Sequence, residues 1–312
     1  MTRKSPPTNL AASVRARLDD LRKKKGLELE LVLSEFAIER LLYRLGTSPY
    51  ADRFVLKGAT LFRIWSEERG RATWDLDLLG RGGSGVEEMA AVLREICIIQ
   101  VGDGIEFLPD SVNSEEIRIP DEYGGVRVRL EARIAAARIP VQIDIGFGDS
   151  VVPPASWVHF PVLLDLPIPS ILAYPKETVV AEKFEAMVSK GVTNTRMKDF
   201  YDIHRLALTA EFQGELLTQA IRATFARRGN PLPVEVPVAL QIGFLAAPER
   251  KAAWKAFLRR GRLETSLDTE TIMTTIRTFL LPILKDAMEV VPLPRRWQPG
   301  GPWALGGEAE KS

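Results

Sequence analysis

One cysteine and two histidines in 312 residues, with a formal net charge of only +1, exclude a good deal of chemistry at the outset. The single Cys97 rules out an internal disulfide. It stands in the apolar run Ile96-Cys97-Ile98-Ile99 and reads as a buried thiol in a reducing compartment. So few thiols and imidazoles leave no zinc site of the usual spacing. Neither His159 nor His204 has a nucleophile signature nearby, so a Ser–His–Asp triad has no support, and His204 reads as structural. The chain has no G-x-x-x-x-G-K-[ST] phosphate loop. No stretch approaches the ~20 apolar residues of a membrane span. The opening MTRKSPPTNL lacks an apolar signal core, so the expectation is a cytoplasmic protein with no membrane partner. The small net charge means that any case for nucleic acid must be local.

What is present is ample for a folded core. Hydrophobic residues make up 46% and charged residues 27%, in a length suited to one large or two ordinary domains. Asn9 to Lys25 predicts a helix with Leu10, Val14, Leu18 and Leu21 on one stripe. Its other face is basic: eight basic residues stand against two acidic ones between Met1 and Gly26, which suits either a solvated face or an RNA backbone. A second helix is expected from Leu29 to Leu45, stopped by Gly46, and another from Val86 to Ile98. The runs IEFL, EEIRIP, GVRVRLEARI and IPVQIDIGFG predict a β-meander broken by turn residues such as Asp110, Asn113, Gly124 and Gly125. Beyond Pro153-Pro154 and the segment HFPVLL the pattern turns helical. Helices are expected at 176–190, 197–208, 214–228, 249–260 and 269–289, the last kinked or divided by Pro282.

This order of elements predicts an α+β protein. Residues 1–165 would form a mixed sheet with flanking helices, 166–290 a helical lobe across a cleft, and 291–312 a flexible Pro/Gly-rich tail.

The chemistry concentrates in FVLKGATLFRIW and RATWDLDLLG. Strand alternation puts Asp75 and Asp77 on one face, with Leu76 and Leu78 on the other. Gly58-Ala59-Thr60 comes after a short strand, where backbone N–H groups and the Thr60 hydroxyl are placed to hold phosphates at a helix start. Asp144, inside the apolar strand Val141–Ile145, is costly there unless paired or metal-bound. It is either a third metal ligand or the partner of an arginine. Three carboxylates suit a two-metal site acting on a triphosphate, and hence nucleotidyl transfer. Trp74 reads as a core residue or a surface for a base. Asp199 and Asp202 share a helix face, and a lysine near them suits developing phosphate charge, although an interhelical ion-pair network is equally at home there.

The segments FVLKGAT, RATWDLDLLG, IDIGFGD, YPKETVVAEKFEAM and RMKDFYDIHRL resemble, in order, the motifs of the AbiEii/AbiGii-type nucleotidyltransferase toxins, over roughly Leu29 to Leu208. The resemblance implies the nucleotidyltransferase-like mixed sheet with a C-terminal helical lobe, the toxin half of a two-gene system, and an activity dependent on NTP and Mg²⁺. Several relatives modify the acceptor end of tRNA and stop translation. By position it implies Gly58 and Thr60 at the phosphate turn, and Asp75, Asp77 and Asp144 as catalytic metal ligands. It also implies Lys183 and Asp199 as catalytic, with Lys57, Arg71, Thr73 and Asp202 binding substrate. This chain has Gly58-Ala59 where two glycines or Gly-Ser are usual, which suits the turn only if Ala59 keeps a negative φ, and Thr73 where serine is usual.

The expected partners are thus an NTP, tRNA and a cognate antitoxin. For the acceptor RNA, the basic N-terminal helix and Arg222, Arg227, Arg228, Lys251, Lys255, Arg259, Arg260 and Arg262 offer positive surface. Two other readings stay open: transfer of a nucleotidyl or phosphoryl group to a protein hydroxyl or small molecule, which the small net charge favours, and a non-catalytic binding module.

Overall fold

The computed structural model describes residues 9–66, 70–117, 124–263 and 266–306. The chain divides into two compact units, Met1–Gly148 with Ser156–Ala173, and Asp149–Ala155 with Tyr174–Ser312.

The first unit begins with α1 (Leu10–Lys25), capped by the Asn9 side chain accepting from the Ala12 N–H at 3.0 Å and closed by Gly26 in the left-handed region. Next comes α2 (Leu29–Thr47). Gly46 does not stop this helix. A Cβ at Gly46 would lie 2.0 Å from the Ser170 carbonyl oxygen, so the glycine admits a neighbouring backbone rather than ending a turn. The unit continues through β1 (Phe54–Lys57), the one-turn α3 (Phe62–Trp65), β2 (Asp75–Gly80), α4 (Val86–Cys97), β3 (Glu106–Ile117), β4 (Gly125–Ile134), β5 (Ala137–Phe147), β6 (Ser156–His159) and β7 (Ser170–Ala173).

The strands form a seven-stranded mixed sheet in the order β3-β4-β5-β2-β1-β7-β6 among the described residues. β2 runs parallel to β5 and antiparallel to β1, and β1 is parallel to β7. The apolar alternates Leu76, Leu78, Val128, Ile143 and Ile145 are buried. Helix α2 packs against β5 and β7, and α4 against β3 and β4. Asp110 and Asn113 do not end strands as turn residues. β3 is continuous, with a register shift between Leu108 and Asn113. There the Ser111 hydroxyl donates to the Leu108 carbonyl at 2.6 Å and accepts from the Glu131 N–H at 2.8 Å, filling the gap in the ladder. Cys97 is buried as expected, and burial pushes its thiol up to about 12.

The second unit contains α5 (Lys176–Lys190), α6 (Met197–Thr209), the short β8 (Phe212–Gln213), α7 (Gly214–Arg227), α8 (Pro248–Gly261), α9 (Thr269–Met288), β9 (Arg295–Trp297) and β10 (Trp303–Leu305). Pro282 does not divide α9. Burial of Ile276, Phe279, Leu280, Ile283 and Leu284 around it outweighs the lost backbone hydrogen bond. The described part of the expected tail is folded, because β9 pairs with both β8 and β10. Trp297 and Trp303 account for this: their rings lie 4.9 and 5.6 Å from that of Phe279, and their indole N–H groups donate to Ala207 and Phe279 carbonyls. Residues 307–312 lie outside the described part, as do Arg3 and Lys4 of the basic N-terminus.

Among the described residues no helix is long and apolar enough to cross a membrane.

Candidate active site

Pairing across the sheet assembles the acidic residues. Asp77 on β2 faces Asp144 on β5 and Lys57 on β1, while Asp75 faces Gln142. Residues opposite one another in a ladder share a face, so Lys57, Asp75, Asp77 and Asp144 stand on one side of the sheet. All four are partly exposed. The expected alternation of β2 is therefore present, with Leu76 and Leu78 buried behind the carboxylates.

Gly58 is the close neighbour of this row. It has φ +75° and ψ −158°, a conformation that side chains rarely adopt. A Cβ there would lie 2.0 Å from Oδ2 of Asp77. The missing side chain is thus the space in which the Asp77 carboxylate sits. Ala59 is not among the described residues with positive φ, so it serves the turn as well as a second glycine would. The helical segment after Gly58 is short: a 3₁₀ turn, Ala59–Leu61, then the four residues of α3. So short an element has little macrodipole. Close backbone approach, rather than a helix field, is what this turn has to offer a phosphate.

Thr60 is only 2% exposed, and its hydroxyl oxygen has no hydrogen-bond partner among the described residues. It lines a cavity of about 680 Å³ in the first unit, together with Arg63, Arg71, Thr73, Lys25 and Leu163. The Thr73 hydroxyl donates to the Asp75 carbonyl at 3.3 Å, next to the acidic pair. Trp74 is not a core residue. It is 47% exposed, because β2 begins only at Asp75 and leaves Trp74 beyond the paired part of the strand.

Asp144 is not an isolated carboxylate. Arg127 donates from Nε to Oδ1 and from Nη2 to Oδ2, at 2.7 Å each. Among the described residues no three His, Cys, Asp or Glu side chains are grouped so as to hold a metal ion. The paired state, one of the two open to Asp144 on sequence grounds, is therefore the one observed. Nothing in the local sequence singled out Arg127, whose register opposite Asp144 comes from the β4–β5 hairpin.

In the second unit Lys183 on α5 bridges Asp199 and Asp202 on α6 at 3.1 and 2.8 Å. Arg196 reaches Asp199 at 2.6 Å. Both aspartates are buried. The structure thus brings Lys183, Asp199 and Asp202 together, and separately Lys57, Gly58, Asp75, Asp77 and Asp144, one group in each unit. Arg222 and Arg228 are not part of an open basic surface. Arg222 donates to the Asp286, Ala287 and Glu289 carbonyls and so caps the end of α9, and Arg228 pairs with Glu185.

The family model described as "Nucleotidyl transferase AbiEii toxin, Type IV TA system" matches residues 40–279, which include both groups of residues. The chain belongs to the AbiEii nucleotidyl transferase toxin family. It is accordingly a nucleotidyltransferase enzyme, with an NTP as substrate, and the toxin of a type IV toxin–antitoxin system. The solved structure of JHP933 from Helicobacter pylori is similar to this chain, with a TM-score of 0.50 and 16% identity, over 84% of this chain and 94% of that one. At that identity the likeness speaks for the fold alone, a nucleotidyltransferase-like α+β architecture. A second H. pylori structure, of a proposed nucleotidyltransferase, has a TM-score of 0.46 at 15% identity, over 82% of this chain and 95% of that one. No curated protein matches the chain.

Proposed function

We propose that this AbiEii-family toxin transfers nucleotides from an NTP to an RNA acceptor, the 3′ end of tRNA, with Mg²⁺, and so blocks translation. The observation that carries the reading is Asp75 and Asp77 on the polar face of β2, with Gly58 making room for the Asp77 carboxylate. Paired hard oxygen donors suit Mg²⁺, and the glycine cradle fits that use. Asp75 and Asp77 would hold the metal, with Asp144 joining when its ion pair with Arg127 opens. Bound there, two such ions supply positive charge against the triphosphate and acidify the attacking hydroxyl.

The remaining roles belong to the chain itself. Asp144 accepts the proton of the attacking hydroxyl. Lys57 and the Gly58 turn hold phosphate oxygens. Thr60, Arg71 and Thr73 line one cavity, and the Thr60 hydroxyl, buried and unpartnered among the described residues, supports a bound ligand there, since buried polar groups are normally satisfied. Lys183 offsets phosphate charge, and Asp199 with Asp202 fixes its ammonium. For the acceptor, Lys251, Lys255, Arg259 and Arg262 recur every three or four residues at exposed positions on and just after α8. The basic face of α1 is a second such surface. A protein hydroxyl or a small molecule is the second reading, favoured by the net charge of +1.

The test is incubation of purified protein with total tRNA, Mg²⁺ and each NTP, labelled at the α or the γ position. Label from the α position is expected in tRNA, and Asp77→Asn is expected to lower the rate on the order of 10³-fold through lost metal stabilisation. Incorporation from the γ position alone would replace nucleotidyl by phosphoryl transfer. Label in protein or in small molecules, with none in tRNA, would overturn the acceptor.

A further inference from the structure

Arg127 has no role in the proposed transfer, yet it occupies both oxygens of Asp144 in a bidentate, fork-to-fork pair. The sheet register sets this up. Arg127 on β4 faces Asp144 on β5, Asp144 faces Asp77 on β2, and Asp77 faces Lys57 on β1. One row across four neighbouring strands therefore runs Arg, Asp, Asp, Lys: two carboxylates between two cations. The side chains of Arg127 and Asp144 are 29% and 16% exposed, so water screens the pair only in part. The guanidinium is held more firmly protonated than usual, mainly by its hydrogen bonds to Asp144, with Asp75 adding to the effect. It thus feels both acidic strands.

A carboxylate with both oxygens committed to a guanidinium cannot also ligate a metal without releasing those bonds. We propose that Arg127 is the resting counterion of Asp144, competing with divalent metal for this carboxylate until the triphosphate draws the guanidinium away. This rests on the reading of Asp75, Asp77 and Asp144 as metal ligands. Competition lowers the metal affinity of the nucleotide-free protein by the fraction of molecules in which the pair is open. A triphosphate offers the released guanidinium a new anionic partner, so metal and NTP favour each other's binding. Arg127 is in this sense a positioning residue, acting through Asp144.

The test measures Mn²⁺ binding to nucleotide-free protein by titration calorimetry and electron paramagnetic resonance. It compares wild type with Arg127→Gln, Arg127→Lys, Asp144→Asn, Asp77→Asn and the double variant R127Q/D144N. R127Q is expected to bind Mn²⁺ roughly tenfold more tightly, as for a competent state about one-tenth populated in the wild type. The gain should vanish in the D144N background, and R127K, a point charge without the fork, should fall between. If R127Q binds as wild type or more weakly while D77N still weakens binding, the pair is only a structural cross-strand contact. That outcome overturns the inference and leaves the metal reading standing. If wild type binds no Mn²⁺ and D77N changes nothing, both are overturned. Should R127Q fail to fold by circular dichroism, R127K carries the same criterion: Mn²⁺ binding no tighter than wild type overturns the proposal.

Discussion

A methyl group at Gly58 would meet the Asp77 carboxylate at 2.0 Å, on a backbone whose φ of +75° already disfavours it. Strain of this kind costs about 1–3 kcal/mol. For Gly58→Ala we therefore expect a melting temperature lower by several degrees and nucleotide transfer reduced by at least roughly tenfold as Asp77 shifts. A variant that melts lower but transfers at the wild-type rate would mean that Asp77 keeps its place without the glycine. Gly46 makes a related point: it stands inside α2 because the Ser170 carbonyl lies where its side chain would be. A glycine's letter reveals its freedom, but not whether a turn or a close approach requires it.

At the scale of elements, the Lys183 bridge ties α5 to α6 through two buried carboxylates. Removing one partner of a buried ion pair costs about 3–5 kcal/mol, because the other charge is left uncompensated. Lys183→Met is therefore expected to lower the melting temperature by roughly 10 °C, with part of the loss restored by Asp202→Asn in the same chain. A wild-type melting temperature alongside lost activity would show that the lysine serves chemistry alone. Helix α8 poses a different question, since its basic residues lie on the surface. Reversing Lys255 and Arg259 to glutamate should raise KM for RNA with kcat unchanged. The log–log salt dependence of RNA binding should flatten by about one for each phosphate contact removed. Unchanged salt dependence would leave these residues as solubilising charge.

Over the whole molecule, two buried groups, one in each unit, oppose each other in their dependence on pH. Burial pushes Glu39 from 4.5 up to about 7. The folded state then holds a proton that the unfolded state has released, so the stability from this group is full below pH 4.5 and is lost as pH rises through about 7. Burial pushes His204 the other way, from 6.5 down to about 4. Its contribution is full above pH 6.5 and is lost as pH falls through about 4. The wild-type urea midpoint should therefore change little across the overlap of the two windows. With Glu39→Gln it should climb with pH there, and with His204→Gln it should decline. Parallel profiles for all three proteins would mean that neither group is the titrating one.

Much of this protein was legible in its sequence because helix and strand periodicity is local. The Asp75-Leu76-Asp77-Leu78 alternation needs only its own strand, and α1, α5, α6 and α7 begin and end within a residue or so of where spacing and caps put them. Lys57, Asp77 and Asp144 could be picked out as candidates from the sequence, but their assembly into one row depends on which strands pair. What only the tertiary structure decided is pairing at long range: Arg127 against Asp144, Ser170 against Gly46, and Trp297 and Trp303 against Phe279. Each joins residues whose own neighbourhoods carry no sign of the partner. Register across a sheet and close approach of backbones arise only when the core packs, and they determine whether a charge is a ligand, a counterion or a strut.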